Sequence, residues 1–204
     1  LNTEEAKVDG QILDQSDVKI VPSTHNVEDL QKDVDRILDK KCEKRCRYRH
    51  DYGPITEHNA MRQLHSEKKV GEFLESHKND FACVCGPDYY FARKINMDHV
   101  KDSLVNRSIY TAQVNDAQGY TNGFYFGHPE QLVKILKRYD DFVSSNNDYE
   151  WGVKQAFVKH KLHRKPTDIV FWKIRASGIC GWQGGRRTDF LTPEEAARVR
   201  ALYE

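Results

Sequence analysis

Residues 79–96 read NDFACVCGPDYYFARKIN, and this stretch decides how the chain is expected to fold. The apolar run Phe81 to Cys85 is short and is closed by Gly86-Pro87, a pattern that predicts a buried strand ending there. Asp88 comes next. Ligands of open α/β sheets bind beyond the carboxyl ends of strands, so Asp88 is either a site residue or a turn residue, and its position favours a site.

Strands and helices alternate along most of the chain. Short apolar and alternating runs predict strands at 17–21, 81–85, 108–114, 122–128 and 168–176. Helical spacing and start signals predict helices over 26–41 with Asn26 as N-cap, from Thr56 through Leu74, from Pro129 through Phe142, over 148–161, and from the capping box Thr192-Pro193-Glu194-Glu195 onward. This order predicts one α/β domain over residues 1–204, with a mainly parallel or mixed central sheet.

Charge and hydropathy exclude several classes of protein. The 204 residues include 32 Lys and Arg against 31 Asp and Glu, a formal net charge of +1. Dedicated nucleic-acid binders usually carry a clear basic excess, so we expect no nucleic-acid partner. No apolar run approaches the ~20 residues needed to span a bilayer, so no transmembrane segment is expected.

The cysteine pattern indicates a reducing compartment. Cys42, Cys46, Cys83, Cys85 and Cys180 are odd in number, and two of them fall in one predicted buried strand, which is not the pattern of a disulfide framework. We therefore expect a cytoplasmic protein. Cys42 and Cys46 are spaced like half of a metal site, but no matching pair follows at finger spacing, and structural or incidental thiols are favoured.

The common sequence signatures of enzymes are missing. The chain has no GxGxxG after a strand, no GxxxxGK[ST], no GxSxG and no HExxH. Four polar clusters remain, and they read GPDYYF at 86–91, GYTNGFYFGHPEQL at 119–132, DYEWGVKQAF at 148–157 and KIRASG at 173–178.

The order and spacing of these four clusters resemble those of small nucleotide-sugar glycosyltransferases of the GT-A type. The resemblance covers about Asn59 to Gly178 and implies a GT-A-like, Rossmann-related three-layer sandwich forming a single glycosyltransferase-like domain. The family's metal motif is usually DxD, whereas the matching place here has the single carboxylate Asp88. The family also opens with a nucleotide-binding strand, and we expect that strand to lie in sequence preceding Leu1.

The resemblance implies transfer of a sugar from a UDP- or GDP-sugar to a glycan or glycoprotein acceptor in glycan biosynthesis. It implies that Asp88 holds Mn²⁺ or Mg²⁺, or the donor's ribose. The other implied donor-binding residues are Arg93, Arg175, Asn122 and Gly123. The implied catalytic bases are Glu150 and Asp148, with Asp116 behind them, and the implied acceptor-binding residues are Trp151, Tyr120 and His128, with Tyr125 as a further aromatic surface.

These residue types suit the chemistry, because glycosyl transfer leaves negative charge on the departing phosphate and takes a proton from the acceptor. A divalent cation or a guanidinium stabilises that charge, and a carboxylate accepts the proton. Each residue also has a structural interpretation: Glu150 as an ordinary first-turn acid, Arg175 in an ion pair, Trp151 in the core, and His128 as a helix cap.

Two other functions remain open from the sequence alone. A non-catalytic carbohydrate- or protein-binding α/β domain would use the same aromatic and amide side chains without needing Asp88 or Arg175. A nucleic-acid-processing protein would use the basic segment Lys41 to His50, although such charge runs are usually solvated and the balanced net charge argues against this function.

Overall fold

The structure is a computed structural model that describes residues 27–43, 54–86, 89–91, 93–112, 119–145, 149–173, 192–194 and 197. The helices are α1 (Val27–Glu43), α2 (Pro54–Ser76), α3 (Met97–Asn106), α4 (Pro129–Leu136), α5 (Tyr139–Ser144) and α6 (Tyr149–Lys159). The strands are β1 (Ala82–Cys85), β2 (Tyr89–Phe91), β3 (Ile109–Ala112), β4 (Phe124–Gly127), β5 (Arg164–Thr167) and β6 (Phe171–Lys173). Pro193 and Glu194 are also helical.

Four of these strands form a mixed sheet in the order β1-β4-β3-β5. Strand β4 is antiparallel to both β1 and β3, and β3 is parallel to β5. Strands β1, β3 and β5 therefore run in one direction, and their carboxyl ends meet at one edge of the sheet, called here the carboxyl edge. The remaining strands, β2 and β6, form a separate antiparallel pair.

Helices cover one face of the sheet. Ile109 and Tyr125 point to this face and pack against Leu132, Ile135 and Leu136 of α4 and against Val153 and Phe157 of α6. Helix α2 lies beside α4 with little room between them, since a Cβ added at Gly71 would come within 3.1 Å of the Leu136 Cβ. Burial of these aliphatic side chains supplies the hydrophobic stabilisation of this layer.

Aromatic rings fill the opposite face. Tyr110, Phe124 and Phe126 pack there against Phe171 of the β2–β6 pair and against Val100 of α3. The rings of Tyr110 and Phe126 stack across neighbouring strands, with centroids 5.1 Å apart. The sheet therefore lies between a helical layer and a layer made of α3 and the β2–β6 pair.

The predicted α/β class with a mixed sheet is confirmed. The predicted strands at 81–85, 108–114, 122–128 and 168–176 correspond to β1, β3, β4 and β6, each of which begins later than expected. The predicted helices over 26–41, 56–74 and 148–161 correspond to α1, α2 and α6. The predicted strand at 17–21, the N-cap Asn26 and most of the basic segment 41–51 lie outside the described residues.

One predicted helix is wrong in its extent. The single helix expected from Pro129 through Phe142 is two helices, α4 and α5, separated at Lys137 and Arg138. The break is stabilised by Arg138, whose guanidinium donates a hydrogen bond to the Ile135 carbonyl at the end of α4. The buried faces of the two helices also differ, because Tyr139 and Phe142 pack against α1 and α2 while Leu132 and Leu136 pack against the sheet.

The sequence analysis did not predict β2, α3 or β5. Strand β5 reads RKPT and has no apolar period, yet each of its residues has a Cα partner in β3. Within the described residues, no helix has the length and apolar character needed to cross a membrane.

Candidate functional site

The carboxyl edge of the sheet gathers several of the sequence motifs. Strands β1, β3 and β5 end there at Cys85, Ala112 and Thr167, and β4 begins there at Phe124. The segment Gly119–Gly123, called here the glycine loop, leads into β4 at this edge. Ligands of open α/β sheets bind at this kind of edge, so it is the candidate site.

The glycine loop is held against the first turn of α6. The Tyr120 backbone N–H donates a hydrogen bond to the Glu150 carbonyl, with 2.8 Å between N and O. A Cβ at residue 119 would lie 1.9 Å from the same carbonyl oxygen, so only glycine allows this approach. The loop therefore fixes the backbone of the predicted base Glu150, whose residue is half-buried.

The other end of the glycine loop contacts the β2–β6 pair. A Cβ added at Gly123 would lie 2.5 Å from the Tyr89 hydroxyl and 3.0 Å from the Phe171 ring. Tyr89 stacks on Phe171 with ring centroids 4.5 Å apart, and its Cα partner in the ladder is Lys173. The close approach to Gly123 is thus made by the protein's own tyrosine.

Four residues of the candidate site, Asp88, Asp116, Asp148 and Arg175, lie outside the described residues. The chain on either side of two of them is nevertheless described. Tyr89 directly follows Asp88 and Lys173 comes two residues before Arg175, and Tyr89 and Lys173 are partners in one antiparallel ladder.

A chain of polar contacts runs from the glycine loop into the core. The Gln63 Nε2 lies 3.4 Å from the Asn122 carbonyl oxygen and 2.8 Å from Glu67 Oε1. Glu67 in turn accepts a hydrogen bond from Arg138 Nη1. Asn122, predicted to bind the donor, is therefore connected through α2 to an ion pair whose side chains are only 10% and 2% exposed.

Several polar atoms in the core around this ion pair have no hydrogen-bond partner in the part of the chain that the structure describes. The Nε and Nη2 of Arg138 and the hydroxyls of Tyr125 and Tyr149 are buried without a partner among the described residues. Because a buried polar atom without a hydrogen bond costs free energy, such groups are rare in folded proteins. One of these groups is the hydroxyl of Tyr149, the first residue of α6.

Electrostatics link this cluster to the predicted base. Burial raises the pKa of the Tyr125 phenol well above its usual value; the Arg138 charge opposes this effect, and the carboxylates of Glu67 and Glu150 add to it. Burial also raises the pKa of Tyr149. For Arg138, burial lowers the pKa but the Glu67 carboxylate outweighs it, so the guanidinium stays charged.

Two predicted acceptor-binding rings are those of Tyr120, in the glycine loop, and Trp151, in α6. Each has a cationic side chain over its face. The Arg164 guanidinium lies 4.0 Å from the Tyr120 ring centroid, and Phe157 meets the same ring edge-on. Arg164 is held there because its Nε donates to the Thr111 hydroxyl over 2.6 Å. Trp151 is half-buried, with the Lys154 ammonium 4.8 Å from its ring centroid.

Two other predicted residues do not lie on the glycine loop or on α6. Arg93 forms an ion pair with Asp168 at 3.6 Å, and Asp168 directly follows Thr167, the carboxyl end of β5, so Arg93 lies at the β5 side of the carboxyl edge. His128 follows the far end of β4, where it is the N-cap residue of α4 without a side-chain cap. The structure therefore brings Asn122, Gly123, Glu150, Tyr120 and Trp151 together, places Arg93 beside β5 at the same edge, and separates His128 from them.

The sequence analysis missed the buried polar residues of α2. Glu57 and Glu67 are buried together with Ala60, Met61 and Leu64. Spacing of three and four residues places all five on one helix face. Two carboxylates on an otherwise apolar face were therefore the sequence signal that could have predicted buried polar groups in α2. Arg138 gave no comparable signal, because its partner Glu67 lies 71 positions earlier in the chain.

The described residues contain no group of three or more His, Cys, Asp or Glu side chains that could hold a metal ion. Comparison with known proteins adds no family: no family model matches the chain, and no curated protein or solved structure matches it.

We expect Arg138→Met to lower the free energy of unfolding by about 3–5 kcal/mol, because it leaves the Glu67 carboxylate buried and unpaired. Lys137→Met, at the preceding position, is the matched control. Lys137 pairs with Glu75 at the surface, where its side chain is 38% exposed, so its loss should cost at most about 1 kcal/mol.

Urea unfolding followed by circular dichroism measures both variants. The double variant Arg138→Met/Glu67→Leu should recover much of the lost stability, since no unpaired charge remains. Equal and small effects for Arg138→Met and Lys137→Met would show that the buried pair is not a structural element of the core.

Proposed function

We propose that the protein is a glycosyltransferase with a GT-A-like fold that transfers a sugar from a UDP- or GDP-sugar to a glycan or glycoprotein acceptor. One observation carries the proposal. The glycine loop joins the first turn of α6 to the β2–β6 pair at the carboxyl edge, so three of the four motifs that resemble the family are in contact at one place.

In this proposal the donor's pyrophosphate binds next to the Tyr89 end of the β2–β6 pair. Asp88 and Arg175 are the proposed ligands, and the ladder partnership of Tyr89 with Lys173 supports placing them together. Asp88 would hold Mn²⁺ or Mg²⁺ jointly with the phosphates, a mode in which one or two protein carboxylates suffice. The cation would supply charge stabilisation for the leaving phosphate.

Glu150 is the proposed general base, with Asp148 as the neighbouring carboxylate. Its backbone is fixed by the Tyr120 hydrogen bond, so the side chain starts from a defined position in the first turn of α6. A base held in place takes the acceptor's proton as the acceptor oxygen attacks the anomeric carbon. The half-buried ring of Trp151, one residue further, offers an apolar surface to a sugar ring.

The geometry changes the roles expected from the sequence. Asn122 and Gly123 stay in the proposed donor site, although Gly123 is approached by Tyr89 and not left open. Tyr120 would serve mainly to fix Glu150, because one face of its ring is taken by Arg164. His128 has no role in this proposal, since it lies at the far end of β4. Arg93 stays a proposed phosphate partner, since its ion pair with Asp168 lies at the carboxyl end of β5.

A non-catalytic carbohydrate- or protein-binding domain is the second candidate. The observation in its favour is that Gly123 and Tyr120 are both occupied by contacts within the chain, as expected of a structural loop. The two functions differ in their need for Asp88 and Glu150, and the two experiments below separate them.

We expect UDP or GDP together with Mn²⁺ to raise the thermal stability of the protein, and Asp88→Ala to abolish that rise. A nucleotide at 100 times its dissociation constant stabilises the folded state by about 2.7 kcal/mol. Asp98→Ala, in which an 87% exposed carboxylate is removed, is the control and should keep the full shift. Absence of any nucleotide-dependent shift in the folded wild-type protein would contradict a nucleotide-sugar enzyme and favour the binding domain.

Glu150→Gln should lower the rate of sugar transfer by about 10²- to 10⁴-fold while leaving the nucleotide-dependent thermal shift intact, because only the proton acceptor is lost. Glu130→Gln changes another first-turn acid, 70% exposed on α4, and should not alter the rate. Transfer, or slow hydrolysis of the donor, is followed by release of the nucleotide diphosphate across a panel of nucleotide sugars. An unchanged rate in Glu150→Gln would exclude this residue as the base.

A further inference from the structure

Strand β1 carries a pair of thiols that the proposed function does not use. Among the described strands, β1 is an outer strand of the four-stranded sheet. Cys83 and Cys85 lie opposite Phe126 and Phe124 of β4, and both are exposed cysteines without a disulfide. Residues two apart in a strand point to the same face, so the two thiols are neighbours on one side of β1.

The two thiols interact with each other. The pKa of the Cys83 thiol is raised, first by its hydrogen bond with Cys85 and then by partial desolvation, although part of the residue is accessible to solvent. A thiol whose pKa is raised is a poor nucleophile at neutral pH. The pair is therefore poorly suited to nucleophilic catalysis, although its two thiols lie side by side on one face of β1.

A disulfide between the two cysteines fits the strand poorly. Two residues of extended strand rise by about 6.7 Å, near the upper limit of the Cα separation that disulfides span and beyond the usual 5.5–6 Å. Both residues also have Cα partners in β4, so shortening the separation would disturb the ladder. The geometry favours two ligands that act together over a covalent bridge.

We propose that Cys83 and Cys85 form a two-thiolate site for a soft monovalent cation of the Cu(I) class. Thiolates select soft ions, and the divalent ions that prefer oxygen ligands are disfavoured. Structural Zn²⁺ needs four ligands, whereas the described residues offer no group of three metal-ligating side chains here. The two sulfurs of β1 match an ion that accepts low coordination numbers.

Binding is a ligand exchange with no change of oxidation state. Each thiol loses one proton and each sulfur gains one bond to the cation, so two protons are released for every Cu(I) bound. The affinity therefore rises with pH, as it does for thiolate sites in general. Neither thiol has a role in the proposed sugar transfer, so failure of one proposal leaves the other standing, although Cys85 ends β1 at the carboxyl edge.

The test uses the 204-residue chain with Cys42, Cys46 and Cys180 each changed to serine, so that only the β1 pair remains. Anaerobic titration with Cu(I) against bicinchoninate should show one Cu(I) per chain. Cys83→Ser and Cys85→Ser, introduced singly into this background, should each weaken binding at least 100-fold, with circular dichroism confirming that the fold is kept. The apparent affinity of the unchanged pair should rise between pH 6 and pH 8.

Three results would overturn the proposal. The first is the absence of bound Cu(I) in the folded three-serine variant. The second is equal binding after either single change, which would place the ion elsewhere. The third is Zn²⁺ binding as tight as Cu(I) at the same two sulfurs, which would exclude a site selective for soft monovalent ions.

Discussion

The position of β4 is the constraint on which the rest of the structure depends. All four of its residues are buried, and it lies antiparallel between β1 and β3. Its aromatic side chains alternate between the two faces, with Tyr125 against the helices and Phe124 and Phe126 against the β2–β6 pair. A shift of one residue would exchange these faces, so the register is strongly fixed. The start of β4 must then lie where β1 and β3 end, and this places Gly123 at the candidate site.

The core beside the candidate site contains a buried ion pair. A buried ion pair costs more in desolvation than a hydrophobic pair of similar volume, and Arg138 with Glu67 is such a pair. Gln63 extends it to the Asn122 carbonyl, so the glycine loop is tied to the core by directional contacts as well as by packing. The opposite end of that loop fixes the Glu150 backbone. Directional contacts of this kind define a position more sharply than apolar packing, which suits a loop that is proposed to orient a reacting group.

The sequence predicts those parts of the fold that have a local signal. Apolar runs gave β1, β3 and β4, and helical spacing gave α1, α2 and α6, because burial of one face dictates both patterns. It failed for β5, where Pro166 and charged residues are paired with β3 through the backbone, and for α3, which exposes Met97, Leu104 and Val105. The sequence analysis also missed the break between α4 and α5 at Arg138, a residue whose ion-pair partner, Glu67, lies far away in the chain. At the candidate site, the strand-end rule predicted the edge at which the glycine loop meets the first turn of α6, but the separation of His128 from Glu150 depends on strand pairing that the sequence does not display.

The central claim is that a nucleotide diphosphate binds at the carboxyl edge, between the glycine loop and the Tyr89 end of the β2–β6 pair. Amide spectra of ¹⁵N-labelled protein with UDP or GDP and paramagnetic Mn²⁺, compared with the same nucleotide and Mg²⁺, test it directly. The account predicts that the amides of Tyr89, Gly123 and Lys173 broaden first. The amide of His128, five residues or about 17 Å from Gly123 along β4, should broaden last. Broadening centred on His128, or an unchanged spectrum at saturating nucleotide, would contradict the account.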